Sequence, residues 1–221
     1  MKKVLTSSAI IFHGRRSSFL SNGVPLHRHF RLPLPYPFSD TTVYAKWIEK
    51  TDLGFTDVAD NSPFRAAIGW AVKEGITNGT SATTFSPGNT CTTAQILTFL
   101  WRANGSPNSN AACPASDVAE TSPFYKALCW ANEKDLMTKG SGSTPCTRAA
   151  AVTYLWKLAG SPKMSVNSSF TDVPASADFA QAVAWAVEQG VTNGVSASEF
   201  APDSTCTRGQ IVTFLYRNLL D

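Results

Sequence analysis

Three stretches of the chain are near copies: CTTAQILTFLWR at 91–102, CTRAAAVTYLWK at 146–157 and CTRGQIVTFLYR at 206–217. Each sets a cysteine before a helical pattern, and two follow it with an arginine, Arg148 and Arg208, where the first has Thr93. Three aspartates, Asp57, Asp117 and Asp172, each stand thirteen residues before a tryptophan, Trp70, Trp130 or Trp185. The groups available for chemistry are therefore guanidinium, carboxylate and thiol. Catalysis is not expected of them. All three histidines (His13, His27, His29) lie outside the repeated part, which has no imidazole for a triad or a His-containing zinc site. The copies share no recurring carboxylate pair, no nucleophile beside a base and no phosphate loop. No metal and no cofactor is expected. The five cysteines, Cys91, Cys113, Cys129, Cys146 and Cys206, are odd in number and form no C-x-x-C pair. The three at equivalent places read as small buried apolar residues rather than as disulfide partners or reactive thiols. The aspartates read first as caps or turn formers, and the tryptophans as core. Arg208 is open to an internal pair with Asp172 or another copy's aspartate, or to a ligand contact.

These groups must be positioned by helices. Around Phe64, Ala67, Ile68 and Ala71 the apolar residues recur at helical spacing. Ser62 and Pro63 suit the start, Gly75 the stop, and a helix over about Pro63 to Glu74 is expected. Copy three repeats the pattern and its Gly190, whereas copy two has Asp135 at the stop. The second helix is the opening stretch. Thr92 with Gln95, and Thr207 with Gln210, form capping boxes; Ala150 halves the box in copy two. Gly105 and Gly160, each followed by Ser-Pro, end it. Copy two also lacks five residues, matching TTFSP (83–87) and SEFAP (198–202). A single helix pair buries too little apolar surface to stand alone, and a period of about 55 residues calls for units sharing one core.

Charge separates the head from this body. Residues 1–50 hold eight Lys/Arg against two Asp/Glu, and residues 51–221 eleven against fourteen. A slightly acidic body argues against nucleic-acid binding. No apolar run approaches the about 20 residues of a membrane span. The start, MKKVLTSSAIIF, runs at once into HGRR, so it reads as a poor export leader. Gly23 to Phe38 carries four prolines and reads as extended, and a short helix is expected around VYAKWIEK. The expected organisation is a basic, Pro-rich, poorly ordered head at 1–54, a first copy at 55–107, a second with a shortened loop at 113–162, and a third at 168–221.

The order F-T-D-V, A-V-x-W-A-V-E-x-G, [IV]-T-N-G, F-x-P and T-R-x-Q, repeated over about 55–221, resembles the S-layer homology domain. The resemblance implies a mainly α fold: three helix-loop-helix repeats in a pseudo-threefold trimer around a central three-helix bundle, within a monomer. It implies non-covalent anchoring at the cell surface or cell wall, by binding an anionic, pyruvylated secondary cell wall polysaccharide in grooves between repeats. A guanidinium at a helix N-terminus can meet such a carboxylate with paired hydrogen bonds, aided by the helix dipole. Candidate ligand contacts are Arg208, Arg148, Asp172, Asp117, Asp57, Gly194, Gly79 and Gln210. Arg148 is ranked lower because its own copy lacks the F-x-P loop, and the groove at Thr93 is expected to be weakened or lost. Two other readings stay open: a protein–protein adaptor reusing the pseudo-trimer, and the anchor fragment of a larger exported enzyme or adhesin.

Overall fold

Each twelve-residue stretch folds as a helix started by its own threonine. A computed structural model describes residues 20–21, 24–25, 52–166 and 169–219. Residues 1–51 and 52–221 form separate units. In the first, Leu20–Ser21 (β1) and Val24–Pro25 (β2) pair antiparallel. The expected leader, the VYAKWIEK helix and most of the Pro-rich segment lie outside the described residues.

The second unit is helical: α1 Arg65–Lys73, α2 Thr93–Ala103, α3 Tyr125–Glu133, α4 Arg148–Leu158, α5 Ala180–Glu188 and α6 Arg208–Leu219. In α2 the box is complete, Gln95 N–H donating to Thr92 Oγ1 and Thr92 N–H to Gln95 Oε1. Thr207 and Gln210 exchange the same pair of bonds at the head of α6. Thr147 keeps only one of them, from Ala150 N–H. α1 starts two residues later than the pattern predicts. Ser62 and Pro63 form a turn, in which Ser62 Oγ accepts from Phe64 N–H and the Ser62 carbonyl from Arg65 N–H.

Packing runs between copies. α1 packs on α6, α2 on α3, and α4 on α5, while α4 also touches α6. In α2 every residue from Thr93 to Leu100 except Gln95 is buried, more than the single apolar face the sequence spacing gives. A helix buried almost all round is an interior helix. The cysteines form its closing ring: Cys91 N–H donates to the Cys206 carbonyl, Cys206 N–H to Cys146, and Cys146 N–H to Cys91, at 2.8–2.9 Å. Their thiols are buried and free. Burial pushes Cys91 up to about 12 and Cys206 to about 11, and raises Cys146 further. They are inert core residues, as their positions suggest.

The last turn of each interior helix holds its own copy's first helix. Arg102 Nη1 donates to the Ile76 carbonyl, Arg217 Nη1 to Val191, and Lys157 Nζ to Asp135. Asp135 sits at φ 54°, where Gly75 and Gly190 sit at 68°. Asp135→Gly relieves a left-handed backbone at a cost of one exposed ion pair, and should raise Tm by about 1–3 °C in a thermal melt.

Candidate functional site

The peptide groups at the start of each interior helix point into the next copy. Arg208 N–H donates to the Asn89 carbonyl and Gly209 N–H to Pro87. Arg148 and Ala149 donate likewise to Ser204 and Pro202, and Thr93 and Ala94 to Thr144 and Gly142. The cycle therefore runs from copy three to one, one to two, and two to three. Together with the threonine caps, these bonds occupy the first three helix N–H groups. None of these three N–H groups is left for an anion, contrary to the expectation from the helix dipole.

The arginine side chains follow their backbones. Arg208 Nε donates to the Phe85 carbonyl at 3.1 Å, and Nη2 to the Asn78 carbonyl at 3.0 Å and to Thr77 Oγ1 at 3.4 Å. Its guanidinium lies 4.8 Å from the Phe85 ring and 5.5 Å from Phe99. Arg148 repeats this in copy three, with Nε on the Phe200 carbonyl at 2.8 Å and Nη2 on Thr192 Oγ1 at 3.4 Å. Its rings are Phe200 at 4.8 Å and Phe214 at 5.6 Å. Arg148 thus depends on copy three's intact loop, so the shortened loop of its own copy does not weaken it.

Both arginines are nearly enclosed, Arg148 3% and Arg208 6% exposed. Neither has a carboxylate within ion-pair distance among the described residues, so of the two readings open for Arg208 the internal pair with Asp172 or another copy's aspartate is absent. Burial lowers both guanidinium pKa values; the Asp57 charge counters this at Arg208 and Asp172 at Arg148. The Nη1 atoms make no intramolecular hydrogen bond. No buried side-chain nitrogen or oxygen among the described residues lacks a partner, so each Nη1 reaches solvent. That leaves each seam one outward donor on a buried cation.

The other predicted residues shape the loops. Asp57 accepts from Phe85 and Ser86 N–H at 2.8 and 2.7 Å, and Asp172 from Phe200 and Ala201 N–H at 2.9 and 2.7 Å. Ser86 and Ala201 are held at φ 58° and 57°. Asp117 clasps what remains of the shortened loop, taking Ser141 Oγ, Gly142 N–H, Ser143 N–H and Ser143 Oγ. A Cβ on Gly79 would meet the Thr84 carbonyl at 2.4 Å, and one on Gly194 would meet Phe170 at 2.6 Å. These glycines serve the loop's own packing, and Gln210 serves its capping box.

Desolvation raises the Asp57 and Asp172 pKa values, but the loop N–H bonds and the nearby arginine outweigh it and hold both below the ordinary 3.8. At Asp117 the Ser141 hydroxyl, then Gly142 and Ser143, hold it far below that range. Carboxylates depressed in the folded state contribute stability that is complete above their unfolded pKa and is lost as pH falls through the folded one. Tm should therefore hold from pH 7 to 5 and fall below about pH 4, with a shallower fall in Asp117→Asn. Melts across that range measure it.

The seam from copy one to copy two lacks these parts. Thr93 Oγ1 donates to the Thr144 carbonyl at 3.1 Å. Met137 stands where the other copies have Thr77 and Thr192, and Tyr154 where they have Phe99 and Phe214. Tyr154 is pushed up to about 12, by burial and then by Cys146, against a hydrogen bond with Thr93. A cleft of about 470 Å³ opens elsewhere, lined by Asn104, Pro107, Trp130, Glu133, Lys134, Lys157 and Leu158. Trp130 and Trp185 are buried, Trp70 packs edge-on against Tyr216, and Trp101 and Trp156 donate to the Pro107 and Pro162 carbonyls.

Residues 54–96 and 169–212 match the S-layer homology domain. The middle copy lies outside these segments; it is also the one without the five-residue loop, the stop glycine and the capping glutamine. No curated protein matches the chain. Among the described residues no helix is long and apolar enough to cross a membrane. S-layer homology domains anchor proteins to the cell wall through its secondary polymers, which places the chain with cell-surface or cell-wall associated proteins. The two arginine seams and the loops that receive them draw on these segments: the chain carries two stretches similar to the S-layer homology domain.

Proposed function

We propose that the chain is a non-catalytic anchor whose two arginine seams hold carboxylate-bearing sugars of an anionic, pyruvylated secondary cell wall polysaccharide. The three copies act as a pseudo-threefold trimer around a central bundle of α2, α4 and α6, complete within a monomer. The observation that carries this reading is a buried guanidinium with no carboxylate partner and one outward Nη1, occurring twice. A buried cation without a counter-charge is costly, and a ligand carboxylate at Nη1 offsets that cost with a charge-assisted hydrogen bond. The flanking loops present Gly79, Gly194 and the clasped aspartates as the frame of each groove. The seam at Thr93 has no such cation, so binding is asymmetric.

The test is capture of the wild-type protein on purified wall polysaccharide, pyruvylated and depyruvylated, at a temperature well below Tm. Capture on the pyruvylated polymer alone is expected. Arg148→Lys and Arg208→Lys, first checked by circular dichroism, should each weaken capture about 10- to 150-fold, since one charge-assisted bond contributes roughly 1.5–3 kcal/mol. Equal capture on both polymers, or folded variants that bind like the parent, overturns the assignment. Binding to neither polymer favours a protein partner.

A further inference from the structure

Copy two carries two cysteines that the other copies do not have, Cys113 and Cys129. Counted from Asp57 and Asp117, they stand where copy one has Leu53 and Gly69. Those two positions touch in copy one: a Cβ on Gly69 would meet Leu53 Cδ2 at 3.1 Å. A large side chain over a bare backbone has been exchanged for two of middle size. The linker is tied to α3 at the same place, because Ser109 Oγ donates to the Cys129 carbonyl at 3.2 Å and Asn132 Nδ2 to the Ala112 carbonyl at 2.9 Å. Cys129 lies on α3 and is 5% exposed, and Cys113 is half-buried against the core. Burial raises the Cys129 thiol, and the neighbouring Cys113 thiol raises it further. Both are thiols in the structure.

From this juxtaposition we infer that Cys113 and Cys129 are a disulfide-forming pair that staples the copy-two linker to α3. The bond forms by exchange with a small-molecule disulfide. The Cys113 thiolate, the more accessible of the two, attacks one sulfur of that disulfide and releases the first small thiol. Cys129 then attacks Cys113 Sγ and releases the second. One S–S bond is made and one broken, the two protein thiols are oxidised, and their hydrogens leave on the two small thiols. Cys91, Cys146 and Cys206 take no part, being buried in the interior ring. The staple sits in the copy that has lost its loop, its stop glycine and half its capping box.

The experiment is equilibration of the purified full chain with excess oxidised glutathione, then alkylation in denaturant, trypsin digestion without reductant and mass spectrometry. Peptides 103–126 and 127–134 each contain one cysteine. They are expected as one cross-linked species that separates on reduction. The oxidised protein should melt roughly 6–12 °C above the reduced one, as for a loop of this length. That difference should vanish in Cys113→Ser and Cys129→Ser. Recovery of both peptides alkylated, or of a stable glutathione adduct on Cys113 with Cys129 still free, overturns the inference. So does an oxidised-minus-reduced shift that survives in both variants.

Discussion

Arg208→Ala should lower the melting temperature by roughly 6–12 °C, which corresponds to a loss of about 3 kcal/mol in a body of this size. The guanidinium supplies three hydrogen bonds to copy one and lies between the Phe85 and Phe99 rings. Truncation leaves the Phe85 and Asn78 carbonyls short of a donor and opens a hole between the rings. Buried ion pairs can often be replaced by apolar residues without loss, because both charges go together. Here the partners are backbone carbonyls and a threonine hydroxyl, which stay whatever replaces the arginine. Arg208→Met should therefore recover only the packing part of the loss. Arg208→Lys keeps the charge but lacks the fork that reaches Phe85 and Asn78 together, and should fall between Met and the parent. Calorimetric melts of the three variants rank them; a melt of Arg208→Ala within about 2 °C of the parent would show that the seam is not a structural tie.

Local devices were legible in the sequence. The Thr92–Gln95 and Thr207–Gln210 boxes, the half box at Ala150, the stop positions at Gly75, Gly190 and Asp135, and the interior place of the three ring cysteines all follow from spacing within one copy. What spacing within a copy does not contain is which copy receives which side chain. Spacing alone sets Arg148 against its own shortened loop, whereas its guanidinium lies over the Phe200 ring of copy three. The aspartates are legible as turn residues, but their partners are loop N–H groups 28 positions away in Asp57 and Asp172; Gly79 and Gly194 read from the sequence as ligand contacts, whereas the space beside them is filled by the loop's own carbonyls and by the Phe55 and Phe170 rings. The internal pair weighed for Arg208 failed for a related reason. Asp57 and Asp172 spend their oxygens on loop N–H groups, and the guanidinium spends Nε and Nη2 on two carbonyls and a threonine hydroxyl. The signal that would have revealed the cycle was present. Thr93, Met137, Tyr154 and the five missing residues depart from the pattern together, and the structure shows them to be two sides of one seam.

That coupling yields the second large effect. Thr93→Arg alone should destabilise the protein by about 3 kcal/mol or more, because it buries a cation where nothing receives it. Thr93 is 8% exposed, and its hydroxyl already bonds Thr144. The three receivers used at the other seams are all absent from copy two: the threonine hydroxyl is replaced by Met137, the phenylalanine of the loop is deleted, and Tyr154 sets a hydroxyl where a bare ring lies. Replacing residues 138–142 with the ten residues of copy three at 193–202, with Met137→Thr and Tyr154→Phe, supplies all three. On that background Thr93→Arg should be neutral or stabilising, so the sign of its effect reverses between the two hosts. A double-mutant cycle of denaturant melts gives the coupling directly. Coupling near zero would mean that the side chain at 93 does not enter copy two's loop, and the direction assigned to the cycle would fall with it. The same graft bears on binding. A third guanidinium seated with its Nη1 outward should add a third site for a carboxylate-bearing sugar, and avidity on a repeating polymer should rise accordingly.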